Sequence, residues 1–307
     1  MAIKLFHIEN YTVDTSKFNH VLHDSGVVEF EEEFAEFVGS KYACSINSAT
    51  SAIFLIFLNK NITIDVPSVI PPVVLNALIN GGNSINFVDN TEWIGDSYVL
   101  HNFGDYKVID SAQKVQKNQF KTEANPQDLM FFSFYPTKPV GGLDGGMIVS
   151  DDYDKIVHFK EAVLNGMSYA ENNWERKIKF PGWKMYLNSF QAYVARQNLK
   201  KLPEKLMRLN EIKQIYNEAF NLSNTSDHLY RIKVGDNNSA LRSMKEKQII
   251  CGIHYEASHL NKVYNNKNSF NCPESEVVAK TMLSIPFNEK LTSTDIKKII
   301  EGSKNLQ

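Results

Sequence analysis

The chain has 307 residues, 43% of them hydrophobic, which suffices for one large core and a smaller one because single cores stop growing at roughly 250–300 residues. Its 33 basic and 35 acidic residues leave a net charge of −2 and are spread along the sequence. There is no basic block of the kind that nucleic acid or an anionic membrane would call for, so a small-molecule substrate is expected. Cys44, Cys251 and Cys272 show neither CxxC nor CxxH spacing, so neither a disulfide framework nor a metal site is indicated, and a reducing compartment fits. The first residues turn polar too early for a signal peptide, and the longest apolar run, 52–58, is far shorter than the ~20 residues of a membrane span. A cytoplasmic location is expected.

In chain order, Phe30, Phe34, Phe37 and Val38 recur at helical spacing behind the acids at 31–33, and Gly39 follows as a stop. Short β-rich runs then begin near 42, 62, 84, 97, 107, 129 and 145, and helical patterns at 51–60 and 73–80 sit between the early ones. Seven strands alternating with helices predict an α/β sandwich with a largely parallel sheet. Beyond Asp151 the strand signal fades. Leu199, Leu202, Leu206, Leu209, Ile212, Tyr216 and Phe220 mark one face of a long helix that Pro203 is expected to kink. A strand at 229–234, a helix at 239–248 and a last helix after Thr292 complete a small α+β lobe. The expected division is 1–215 for the large lobe and 216–307 for the small one.

The strongest chemical signal is FFSFYPTKPVGGLDGGMIVSDD at 131–152, an apolar strand running into a loop with one lysine, Lys138, and four glycines. A lysine acts as a Schiff-base nucleophile only where its surroundings lower its pKa, and a loop at a strand end can do that. GGLDGG matches neither a P-loop nor a dinucleotide fingerprint. Upstream, KVIDSAQ ends a short strand on Asp110 with Gln113 three residues on. A carboxylate so placed suits the pyridine nitrogen of pyridoxal 5'-phosphate (PLP), although an Asp at a strand end is also a common turn residue. In YACSINSATSAIFLIF, Ala49, Thr50 and Ser51 fall at a helix N-terminus, where amides and hydroxyls either bind a phosphate or simply cap the helix.

With these residues in view, the chain resembles the DegT/DnrJ/EryC1/StrS sugar aminotransferases, PLP enzymes of fold type I. The resemblance rests on seven blocks in order: 29–52, 65–69, 107–113, 131–149, FPGWKMYLNSFQAYVARQNLKKL at 180–202, GIHYEASHL at 252–260, and 272–296. It implies that Lys138 holds PLP as a Schiff base, Asp110 faces the pyridine nitrogen, Gln113 lies beside the phenolic oxygen, and Ser133 joins Thr50 and Ser51 on the phosphate. It also implies a homodimer whose PGWKMY segment reaches the partner's cofactor, with His254, Tyr255 and His259 near the substrate. The implied reaction transfers an amino group from an amino acid, commonly glutamate, to a keto group of a nucleotide-linked sugar. Relatives in which histidine replaces the lysine carry out dehydration; here Lys138 is present.

Several positions depart from the family pattern. Pro71 stands where an aromatic usually stacks on the ring, Ala49 replaces a glycine, and Lys184 and Tyr186 replace the asparagine and arginine of GYNYR. Between HNFG and KVID only Asp105 and Tyr106 remain, where relatives carry a helix. A parallel crossover needs about ten residues or more, so the two strands must be antiparallel neighbours or lie apart. A shortened cleft leaves two further readings: a PLP enzyme acting on a smaller substrate, and a catalytically silent paralogue.

Overall fold

The computed structural model describes residues 2–169, 176–265 and 270–306. The first long helix, α1 (Ser25–Val38), starts where Asp24 accepts the Gly26 amide and ends at Gly39, whose φ of +82° is the left-handed cap that glycine adopts without strain. There follow β1 (Tyr42–Ile46), α2 (Ala49–Phe57), β2 (Thr63–Pro67), α3 (Pro72–Asn80), β3 (Ser84–Val88), β4 (Tyr98–Asn102), β5 (Lys107–Asp110), α4 (Gln119–Glu123), β6 (Leu129–Ser133) and β7 (Gly146–Ser150). The α/β class stands, and each of the seven expected strands lies where its β-rich run placed it.

The expectation of a largely parallel sheet requires correction. Five strands form a mixed sheet in the order β1-β7-β6-β5-β4, with β5 and β6 the parallel pair in it, while β2 and β3 form a separate parallel pair. Connection length is the reason. The β4–β5 link spans only 103–106 and closes with the Phe103 amide on the Tyr106 carbonyl, so β4 folds back as a hairpin. The β6–β7 link at 134–145 contains no helix, and β7 likewise returns antiparallel.

Period-two alternation sorts the sheet's side chains into two layers. Cys44, Ile46, Val108, Leu129, Phe131 and Ile148 pack with α2 and α3, whereas Ala43, Ile109, Met130, Phe132, Met147 and Val149 pack with Phe30 and Phe34 of α1. A helix with no counterpart in the sequence expectations, α5 (Tyr153–Val163), covers the first layer with Ile156, Phe159, Ala162 and Val163. The short antiparallel pair β8 (Met167–Tyr169) and β9 (Arg176–Ile178) follows it.

The 32-residue helix α6 (Ser189–Phe220) runs on through Pro203 for about 48 Å. It begins in a capping box of Asn188 and Gln191, and Arg196 ties it to Glu29 and Glu33 of α1. Its first half, through Leu199 and Leu202, packs in the second layer. Its second half, through Leu209, Ile212 and Tyr216, enters a third core. That core is completed by β10 (Tyr230–Lys233), α7 (Asn237–Glu246), β11 (Met282–Ile285) and α9 (Ser293–Ser303), and Ile3 from the N-terminus joins it, whereas α8 (Pro273–Thr281) packs Val278 and Ala279 on the first layer. No helix among the described residues is long and apolar enough to cross a membrane.

Candidate active site

At the end of β1 the Asn47 amide donates to the Met185 carbonyl at 2.7 Å, and Ser48 then caps α2 by accepting the Ser51 amide at 3.1 Å. The amides of Ala49 and Thr50, first in the helix, have no acceptor within it. Against this end lies Gly146, paired with Ser133 across β6 and β7. A Cβ on Gly146 would sit 2.8 Å from the Ala49 nitrogen and 2.9 Å from the Phe132 carbonyl oxygen, so only glycine leaves the cradle open. Gly146→Ala should cost about 1–3 kcal/mol of stability through overpacking. An unfolding free energy from denaturant titration lowered by less than that would show that the helix end yields.

The loop 134–145 holds Lys138. It is pinned by the Gly142 amide on Phe134, by the Lys138 amide on Tyr135, and by Asn198 of α6 donating to the Gly141 carbonyl. The Lys138 side chain is half-buried and has no hydrogen bond or ion pair with a described residue. Burial pushes its amine down to about 8, against the pull of Asp110. Asp110 is 5% exposed at the end of β5, accepting the Ala112 amide at 2.9 Å and the Tyr98 hydroxyl at 3.2 Å. Burial raises its pKa, opposed by the Ala112 amide, by Lys138 and by Tyr98.

Gln113 accepts the Gly95 amide at 2.8 Å and donates to the Tyr255 hydroxyl at 3.0 Å. Tyr255 lies parallel to Trp93, ring centres 6.1 Å apart, and Trp93 packs on Tyr98. Gly95 has φ +94°, and a Cβ there would come within 2.5 Å of Ser226 Oγ, which donates to the Gly95 carbonyl. His254 is bound through Nδ1 to Ser284 Oγ at 2.9 Å, and burial together with Lys138 and Arg231 pushes its pKa down to about 4. The buried His228, stacked on Phe6, is likewise held far below the ordinary range, by burial first and then by Lys138.

Lys138, Asp110, Gln113, His254 and Tyr255 are thus brought together, and Ser133 meets the start of α2 at Gly146. The others stand apart. His259 is buried with Nδ1 2.5 Å from Ser68 Oγ and Nε2 turned to Glu276 at 3.6 Å. Pro71 caps α3 beside the 257–258 backbone, to which Ser68 and Val69 are bonded. Lys184 is exposed, its backbone bridged to Leu164, while Tyr186 packs on His23. Sequence reasoning missed Ser48, whose place directly before a helix start signals a cap, and Tyr98, which faces Asp110 in the hairpin register. It also missed Trp93 and His228, for which no local signal exists. Among the described residues no cluster of three or more His, Cys, Asp or Glu could hold a metal ion, and the three cysteines are free.

Residues 7–91 and 111–303 match the DegT/DnrJ/EryC1/StrS aminotransferase family, and the unmatched 92–110 contain β4, β5 and the short link between them. The chain is 25% identical to the spore coat polysaccharide biosynthesis protein SpsC of Bacillus subtilis, over 91% of this chain and 89% of that one. It is 24% identical to the UDP-4-amino-4,6-dideoxy-N-acetyl-beta-L-altrosamine transaminase of Campylobacter jejuni, over 88% and 87%. The aminotransferase TlmJ from Streptoalloteichus hindustanus shares the fold with a TM-score of 0.82 at 19% identity, over 98% of both chains. With the family pattern matched on both sides of the hairpin, the chain belongs to the DegT/DnrJ/EryC1/StrS aminotransferases, which depend on PLP.

Proposed function

We propose that this aminotransferase takes its amino group from an amino acid, glutamate in first place, and delivers it to a keto group of a nucleotide-linked sugar. The observation that carries the reading is the unpaired Lys138 amine, lowered to about 8 and set beside buried Asp110. The transaminase from C. jejuni, named for a UDP-linked sugar, supports the choice of acceptor.

The residues present fit PLP. Lys138 would hold it covalently, Asp110 would face the ring nitrogen, and Gln113 would lie beside the phenolic oxygen. Thr50, Ser51, Ser133 and the open amides of α2 would take the phosphate in the cradle that Gly146 keeps free. Two buried polar atoms without a protein partner, Asn47 Oδ1 and Trp93 Nε1, flank this region. When bound, PLP supplies an electron sink for the electron pair left on the substrate carbon by proton loss. The protein's own part is proton handling and orientation. Freed Lys138, neutral in a large fraction near pH 8, takes the proton from the substrate carbon and returns it one position away. Asp110 would stabilise a proton on the ring nitrogen. His254 stays neutral at physiological pH, so it donates or accepts a hydrogen bond without adding charge.

The protein is further proposed to be a cytoplasmic homodimer in which Lys184 extends to the partner's cofactor. The short hairpin link at 103–106 favours one second reading, a smaller acceptor. Protein loaded with pyridoxamine phosphate, offered a panel of nucleotide-linked keto sugars and simple ketones, separates the two. Return of the yellow PLP form should be at least about tenfold faster with a nucleotide sugar. Equal or faster return with simple ketones would overturn the acceptor assignment.

A further inference from the structure

Along β10, Tyr230 and Ile232 enter the C-terminal core, so Arg231 lies on the opposite face of the strand. Its partner across the ladder is Ser284 of β11, the residue whose hydroxyl holds His254. Next to His254 is Tyr255, bound to Gln113. Arg231 therefore belongs to the wall from which His254 and Tyr255 face Lys138.

Arg231 is half-buried, and its lack of a partner among the described residues sets it apart from the other arginines whose side chains are described. Arg196 has Glu29 and Glu33, Arg208 has Glu211 and the Leu291 carbonyl, and Arg242 has the Ser239 hydroxyl. Arg231 makes no hydrogen bond or ion pair with any described residue. The titratable groups that feel it, His254 and Tyr255, are not anions: burial pushes the Tyr255 hydroxyl up and holds His254 neutral. A partly desolvated cation without an anionic partner is unfavourable until an anion arrives. A guanidinium fork matches the two oxygens of a carboxylate or a phosphate.

We propose that Arg231 is the substrate-anion receptor of this site, gripping with both prongs an oxyanion of the substrate, either a carboxylate of the amino donor or a phosphate of the nucleotide-linked acceptor, while the reacting carbon lies at Lys138. The inference rests on the aminotransferase reading and adds to it the residue that selects substrate charge.

The test is calorimetric titration of the PLP-loaded protein with glutarate and, separately, with UDP, in wild type, Arg231→Met and Arg231→Lys. Arg231→Met should keep its PLP adduct and melt at the same or a higher temperature, because an unpaired, partly desolvated charge gives way to an apolar chain. It should lose about tenfold or more in affinity for at least one probe. Loss for glutarate assigns the carboxylate, loss for UDP the phosphate, and loss for both a shared subsite. Arg231→Lys should recover only part of the affinity, since an ammonium makes no two-pronged contact. Affinities unchanged within about twofold, or no binding of either probe by wild type, would overturn the proposal. So would a lowered melting temperature with unchanged affinities, which marks a structural role. A wild-type protein that forms no PLP adduct on Lys138 would instead overturn the functional reading beneath it.

Discussion

Lys138→Ala is expected to abolish transamination and the borohydride-trappable attachment of PLP, while the protein still folds. The Lys138 amine has no hydrogen bond or ion pair with a described residue and sits in surroundings that disfavour its charge. Its removal therefore breaks no hydrogen bond or ion pair with a described residue. The linkage has a definite sign. A pKa of about 8 in the fold, below the ordinary 10.5, means that the protonated amine is penalised. The cofactor-free protein thus loses stability as pH falls from about 10.5 towards 8, and Lys138→Ala removes that slope. The same depression makes the neutral amine available, so PLP capture by wild type should quicken with pH and level off above about 8. Loss of the nucleophile and proton carrier together should lower turnover by at least about 10⁴-fold, or about 5 kcal/mol of barrier. After reduction and digestion, mass spectrometry should find the adduct on the peptide that contains Lys138. An adduct on Lys184 would refute the assignment.

Local chemistry was legible in the sequence and long-range geometry was not. The seven strands and the helices α1, α2 and α3 announce themselves through periodicity and caps; Asp110 and Ser133 lie at strand ends that such patterns locate, and Lys138 in the loop that follows one of them. Strand direction is set by connections, and only the 103–106 link was short enough to dictate it. Helix α5 carries a helically spaced stripe, Ile156, Phe159, Ala162 and Val163, that the sequence reading passed over, and its burial depends on a sheet face that periodicity cannot see. Gly95 and Ser226, or Ser68 and His259, meet across more than a hundred residues. The same distance hid Arg231: a charged residue between Tyr230 and Ile232 tells which face it takes, but not that His254 and Lys138 lie on that side. His259, grouped with His254 by its motif, turns instead to Ser68 and Glu276.

Asp110→Asn should leave a folded protein that captures PLP on Lys138 yet loses about a hundredfold or more in the rate of the amino-donor half-reaction, roughly 3 kcal/mol of barrier. The geometry allows the replacement without rebuilding. The amide oxygen still accepts from Ala112, and the new NH₂ group can donate to the Tyr98 oxygen that formerly donated to the carboxylate. Burial already disfavours the Asp110 charge, so the substitution relieves desolvation and should not lower the stability of the cofactor-free protein. On the proposed roles, retention of PLP would rest mainly on the covalent bond to Lys138 and on the phosphate cradle at Thr50, Ser51 and Ser133, none of which involves position 110. What would disappear is the negative charge proposed to keep a proton on the ring nitrogen, and with it much of the pull on the electron pair released at the substrate carbon. Single-turnover measurement with glutamate or another accepted donor separates capture from chemistry. A near-normal rate would mean that Asp110 does not face the ring nitrogen, and the roles given to the β5 end and to the Tyr98 hairpin would fall with it.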